Sequence, residues 1–399
     1  MTLTDAARFF TETAGSLACM SVCCGTERCT ETAMSGTVDR LGTPVREDSL
    51  FDLASLTKMF TAFLCLRLRE TGLMDFGRKV TDYAPRFRCL GETTVEDVFF
   101  FRRSLTTPVR VDACADSASG LKALEEVRVG ENGARAYSDM HAMVLKYALE
   151  GAAGMAYMPL LRREILEPLG MRDTCCAVPQ AERRRCVCYE REHRIENGRY
   201  ILREGPERGV PHDPKARLLN PRGDDCCGHA GLFSTVADLA RLCGAVLGGR
   251  VLSRESLRYM AENHTGHPLP GGGYTQYLGG QCYVRHPVQY QSEIPAYMSG
   301  AAIGWSGFTG NHLAIDPERG IYEFYLGNRV LNRLTFLTPE EGRTLADYGL
   351  APDGRGHVLW EDGEKIASSV SYVHLKDAYY HPAVEEALFG RSGAPGAKT

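Results

Sequence analysis

No apolar run in the 399-residue chain approaches the length needed to cross a bilayer, so no membrane partner is expected. The first residues, Met1-Thr2-Leu3-Thr4-Asp5-Ala6-Ala7-Arg8, lack the basic start and apolar core of an export signal, which points to the cytoplasm. An excess of positive charge is missing as well. With 46 Lys and Arg against 50 Asp and Glu, the net charge is −4 and the signs are interspersed, so no nucleic acid is expected as a partner. None of the 15 cysteines forms a C-x-x-C pair, and Cys23-Cys24, Cys175-Cys176 and Cys226-Cys227 match no zinc-ligand spacing. Reduced thiols, no metal and no cofactor are the expectation. Gly271-Gly272-Gly273 has no following helix and no P-loop lysine, which argues against phosphate cradling. No internal repeat is visible, and nothing in the chain signals an oligomeric state. The length allows one large domain or two to three smaller ones.

What the chain does have is a concentrated stretch, Phe51-Asp52-Leu53-Ala54-Ser55-Leu56-Thr57-Lys58. Behind it, apolar residues recur at Met59, Phe60, Phe63, Leu64, Leu66 and Leu68 and end at Thr71-Gly72. That spacing predicts a helix from at or just after Ser55 to Gly72. A serine at a helix start has two possible jobs. It can cap the helix by accepting a backbone N–H, or it can act as a nucleophile. Lys58 is one turn along on the same face. A partly desolvated amine beside a hydroxyl can exist neutral and take the hydroxyl proton. The helix N-terminus favours negative charge developing nearby.

The flanks, Leu50 to Ala54 before Ser55 and Met59-Phe60-Thr61-Ala62 after Lys58, together resemble the first motif of the serine β-lactamase and penicillin-binding protein superfamily. The likeness is to the class C-like branch, with its esterases and D-amino-acid peptidases. Further motifs follow in the family's order. Tyr137-Ser138-Asp139 opens an apolar-periodic helix and resembles the second motif, Tyr-x-Asn, with a carboxylate where the amide is usual. Glu164 to Thr174 (EILEPLGMRDT) and Asp224 to Ser234 (DDCCGHAGLFS) resemble two further family segments. Ile303 to Gly310 (IGWSGFTG) resembles the third motif, with Trp305 and Ser306 where Lys-Thr or His-Thr is common. The resemblance covers residues 1–335.

It implies an α/β (α+β) fold of the β-lactamase/transpeptidase type: an antiparallel sheet flanked by helices, with a mainly helical insertion over about 75–225. A hairpin and helix extension at 336–390 and a disordered tail at 391–399 complete the expected organisation. It implies Ser55 as acylated nucleophile, with Lys58 and Tyr137 handling protons; Lys58 would favour the Tyr137 phenolate. Asp139 orients Lys58 or caps its own helix. The Ser55 amide and an amide from the strand Trp305, Ser306, Gly307 and Phe308 would form the oxyanion hole. Trp305 cannot ion-pair with a substrate carboxylate, which favours a small-molecule ester or acyl-transfer substrate. A D-amino-acid peptidase or β-lactamase, and a catalytically silent binding protein, are the alternatives.

Three smaller expectations complete the reading. Arg102 and Arg103 stand where relatives carry a pocket-lining turn, and either approach the pocket or are solvated. The charge-dense stretch 183–209, with a turn at Asn197-Gly198, reads as a solvated hairpin. His229 reads as structural, and His212 with Asp213 as a possible pocket pair.

Overall fold

The computed structural model describes residues 1–131, 136–289 and 292–390; the tail expected at 391–399 lies outside the described residues. In chain order the strands are β1 Cys19–Gly25, β2 Thr30–Gly36, β3 Phe51–Asp52, β4 Leu105–Thr106, β5 Arg128–Val129, β6 Arg191–Glu196 and β7 Arg199–Glu204. They continue with β8 Phe233–Ser234, β9 Ile303–Gly307, β10 Asn311–Asp316, β11 Ile321–Gly327, β12 Arg333–Leu337, β13 His357–Leu359 and β14 Lys365–Ala367. The central sheet has the order β2-β1-β11-β10-β9, and its pairings are all antiparallel.

Both faces of this sheet are buried, and the period-2 alternation of strands divides its side chains between two cores. Cys19, Cys23, Trp305, Leu313, Ile315, Tyr322, Phe324 and Leu326 face the helical body. Met20, Val22, Cys24, Ala314, Ile321 and Tyr325 face the opposite way, against the N-terminal helix and the last helix, His381–Phe389. The N-terminal helix, Leu3–Arg8, is started by a capping box between Thr2 and Asp5. The ends of the chain therefore close the same layer.

The predicted helix behind Ser55 forms as a 3₁₀ turn, Ala54–Leu56, leading into Thr57–Glu70. It is buried nearly all round, including Met59, Phe60, Phe63, Leu64 and Leu66, as a helix through the centre of a large core must be. It packs against the helix Met140–Ala153, which ends on Gly154 in the left-handed region at φ 61°. The short helix Val95–Phe99 starts with a capping box between Thr94 and Asp97.

The stretch 183–209 is only partly what its composition suggests. Asn197 (φ 52°) and Gly198 (φ 77°) make the expected tight turn. The hairpin it closes, β6-β7, is not a solvated flap: β12 pairs in parallel with β6, and Ile195 packs against Leu334, Val358 and Trp360. Charged residues are abundant because one face of this small sheet borders a polar cleft. All 15 cysteines are free thiols, 11 of them buried, and burial pushes those of Cys19 and Cys23 up to about 12. Among the described residues, no helix is long and apolar enough to cross a membrane.

Candidate active site

The turn carrying Ser55 is held from several sides. Ala54 adopts φ 46°, a left-handed conformation that costs a non-glycine residue energy and needs support. Asp52 supplies it: its Oδ1 accepts the Ala54 amide at 2.8 Å, and its Oδ2 accepts the His212 amide at 2.7 Å. Thr309 and Asn311 donate to the Asp52 carbonyl at 2.9 and 2.8 Å, tying the turn to β9-β10. The Leu53 amide donates to Leu232 O, in the Gly-Leu-Phe segment preceding β8.

Ser55 does not cap the helix; neither helical segment begins with a side-chain cap. Its Oγ instead lies 2.9 Å from Lys58 Nζ. That ammonium is fully buried, 2.9 Å from Asp139 Oδ1 and 3.3 Å from the His229 carbonyl. Burial holds Lys58 below the ordinary lysine range even though Asp139 pulls the other way.

Tyr137 donates to Asp139 Oδ1 at 3.0 Å, and its ring stands 5.4 Å from Lys58 Nζ. Burial and the Asp139 charge push its phenol well above the usual tyrosine value. The expectation that Lys58 favours the Tyr137 phenolate is thereby corrected: the nearer charge is a carboxylate, so the ring keeps its proton. Asp139 occupies the N-cap position of its helix but makes no capping bond. Its other oxygen is 3.2 Å from Lys215 Nζ. Although burial opposes ionisation, Lys58, His229 and Lys215 hold this carboxyl well below the usual range.

Lys215 was not singled out by sequence. It lies two residues past Asp213, the side-chain cap of the helix Pro214–Leu219, and a lysine in a first turn carries no local signal. Asp213 pairs with His229 Nε2 at 3.0 Å and with Lys215 at 3.3 Å. The considered partner of Asp213, His212, instead meets Glu192 at 3.4 Å. His229 is buried, as a structural role requires, but its carbonyl and ring also border the lysine network.

A cleft of about 420 Å³ opens over Ser55, Tyr137 and Asp139. Arg110, Arg194 and Arg203 line it beside Asp112, Glu192 and Glu204. Arg102 and Arg103 do not: Arg102 pairs with Glu96 at 2.7 Å and touches His264. Of the pocket arginines, Arg194 and Arg203 come from β6-β7, a hairpin far away in sequence.

The third-motif strand splits its residues between the faces of the sheet. Trp305 is buried beside Tyr137 (5.4 Å between rings), stacked on Tyr283 at 4.3 Å and 6.0 Å from Lys58 Nζ. Gly307 lets β9 approach the nucleophile turn; a Cβ there would sit 2.7 Å from Leu53 O. Phe308 is partly exposed, lines the cleft and stacks on His212. The Ser306 side chain turns to the opposite face and donates to Glu293 at 2.8 Å, so only its backbone is near Ser55.

Among the described residues, two groups of side chains have the composition of metal ligands: Asp139 with Asp213 and His229, and His312 with Glu323 and His381. The first group already holds the Lys58 and Lys215 ammonium groups. The second lies on the far face of the sheet.

Residues 32–340 match the family model described as Beta-lactamase. Esterase EstB of Burkholderia gladioli is 24% identical over 326 residues, covering 73% of this chain and 81% of that protein. Penicillin-binding protein 4* of Bacillus subtilis (strain 168) is 30% identical over 145 residues, which span 33% of this chain and only 31% of that protein. Among solved structures, that of EstCE1, described as a hydrolase with promiscuous acyltransferase activity, superposes with TM-score 0.64 at 18% identity. The superposition covers 82% of this chain and 92% of that one, a likeness of fold.

Proposed function

The chain belongs to the Beta-lactamase family of serine hydrolases, and from that premise we propose that it is an esterase or acyltransferase for small-molecule esters. The observation that carries this reading is the 2.9 Å contact between Ser55 Oγ and a fully buried Lys58 amine, with the uncharged, buried Trp305 ring 6.0 Å from that amine. Neutral Lys58 takes the Ser55 proton as Oγ attacks the ester carbonyl. The Ser55 amide and the end of β9 receive the oxyanion. Collapse breaks the ester C–O bond, and the alcohol departs with a proton passed from Lys58 through the Tyr137 hydroxyl, leaving acyl-Ser55. Water or a second alcohol then accepts the acyl group by the reverse proton path.

Ester preference follows from Trp305. An indole offers one N–H and no charge, whereas a penicillin or D-Ala-D-Ala peptide brings a carboxylate. The cleft cations are already engaged: Arg194 and Arg203 with Glu196 at 2.9 and 3.1 Å, Arg110 with Asp112, Lys215 with Asp139 and Asp213, and Arg217 with the Pro211 and His212 carbonyls. An unpaired buried carboxylate costs roughly several kcal/mol, or about three decades of efficiency.

The test is fluorophosphonate labelling read by intact mass, alongside turnover of a short-chain nitrophenyl ester and of nitrocefin. One adduct mapped to Ser55, absent in Ser55→Ala, with ester turnover far above nitrocefin turnover, is the expected result. Undiminished labelling of Ser55→Ala ends the nucleophile assignment, and efficient nitrocefin hydrolysis ends the ester assignment.

A further inference from the structure

On the sheet face turned away from Ser55, three charged side chains are fully buried between β10, β11 and the C-terminal segment: His312, Glu323 and Lys376. His381 joins them from the start of the last helix. The two imidazoles are arranged alike. His381 Nδ1 is 2.9 Å from Asp377 Oδ1, which fixes the proton on Nδ1 and leaves the Nε2 lone pair bare. His312 Nδ1 has both Lys376 Nζ, at 3.3 Å, and Glu293 Oε2, at 3.5 Å, beside it. Both Nε2 atoms point at one carboxylate: His312 Nε2 is 2.8 Å and His381 Nε2 3.6 Å from Glu323 Oε1.

Three buried atoms here make no hydrogen bond of good geometry, His381 Nε2, Glu323 Oε2 and Asp377 Oδ2, although the Tyr380 hydroxyl lies beside Glu323. Native proteins rarely leave such atoms bare, because each costs about 1–3 kcal/mol. The charges are also incomplete. Glu293, Glu323 and Asp377 are three carboxylates, and among the described residues the cation other than histidine paired with any of them is Lys376, on Glu293. One divalent cation closes that deficit.

We propose that His312, Glu323 and His381 bind a single structural divalent transition-metal ion, of zinc type. Ligand atoms about 2.0–2.1 Å from a tetrahedral zinc ion stand about 3.3 Å from one another. The observed separations of 2.8 and 3.6 Å bracket that spacing. Glu293 and Asp377 behind the imidazoles are the carboxylate supports that metal-bound histidines usually have. To bind, His312 carries its proton on Nδ1, toward Glu293, and Lys376 stays paired with the same carboxylate. Nitrogen and oxygen donors suit zinc and its neighbours rather than calcium or magnesium. All three ligands are buried behind the sheet, away from the Ser55 cleft, so the ion's role is structural. The ion joins β10 and β11 to the last helix, and Glu293 carries the connection to Ser306 on the strand beside Ser55.

The test uses the full chain, purified without chelator and without a polyhistidine tag. First-row metals are counted by mass spectrometry, and the zinc K-edge absorption spectrum identifies the neighbouring atoms. The expected result is close to one zinc per chain with a nitrogen and oxygen shell near about 2.0 Å. Zinc added to chelator-stripped protein raises Tm by several degrees. His381→Asn and Glu323→Gln retain at least about tenfold less metal while still labelling at Ser55 with fluorophosphonate, which reports an intact fold. A sulfur shell near about 2.3 Å assigns the metal to the thiols and overturns the site. So does a full equivalent of zinc in a folded His381→Asn variant. Stripped protein that neither binds zinc nor gains Tm likewise overturns it.

Discussion

At the scale of the residue, the departure with most chemical consequence is Asp139 where the family motif has an amide. Burial lowers Lys58 from lysine's ordinary 10.5, and Asp139 is the largest opposing influence. In the proposed mechanism the neutral amine is the active form, so kcat/KM for ester acylation is expected to rise with pH through the Lys58 ionisation. Asp139→Asn removes a charge that favours the ammonium, so the ascending limb of the pH profile moves to lower pH. The Ser55 labelling rate against pH, measured for both proteins, checks this. An unmoved limb, or one displaced upward, shows that Asp139 does not tune Lys58. Ser55 and Lys58 were legible as a pair from their spacing together with the flanking residues, Leu50 to Ala54 and Met59 to Ala62. The Tyr137 protonation state was not, because it depends on which charge is nearer, and only the fold places Asp139 between the two.

At the scale of the element, the site depends on how closely β9 can approach the Ser55 turn. Gly307 makes that approach possible, since a methyl group there would fall 2.7 Å from the Leu53 carbonyl and 3.0 Å from Asn311 Nδ2. Both are fixed, the first by the turn and the second by its bond to Asp52 O. Gly307→Ala is expected to push the turn off the strand, costing about 1–3 kcal/mol of stability and at least about tenfold in ester kcat/KM. Denaturant unfolding and steady-state kinetics measure the two, and wild-type kinetics in the folded variant rule out the close-approach role. The same strand shows why a motif in sequence is not yet a site. Trp305 and Ser306 are neighbours in the chain, yet the pleat sends one toward Lys58 and the other to Glu293 on the back of the sheet.

At the scale of the whole molecule, the segment beyond residue 340 completes the rear core. Tyr380, Ala383 and Val384 are fully buried with Phe10, Leu17 and Tyr325. Phe9 stacks on Tyr379 at 3.6 Å, so the two ends of the chain share one layer. A chain stopped at residue 340 strips this layer from the sheet. Burying a large side chain is worth about 1.5–3 kcal/mol, and a domain has only about 5–15 kcal/mol to lose. The truncated chain is expected to be digested by a nonspecific protease at least about tenfold faster and to lose a cooperative thermal transition. A truncated chain with the parent's Tm shows that the extension is dispensable.

The sequence by itself determined what rests on local spacing: Ser55 one turn from Lys58, the helix behind them, the Asn197-Gly198 turn, and the order of three motifs. These follow from periodicity and turn chemistry within a few residues. The tertiary structure alone decided what rests on encounters between distant segments. It brought Lys215 and the β6-β7 arginines to the cleft, kept Arg102 and Arg103 out of it, and converged His312, Glu323 and His381 behind the sheet. Charge state was decided there too, because a pKa responds to burial and to the nearest charge, and neither exists until the chain has closed on itself.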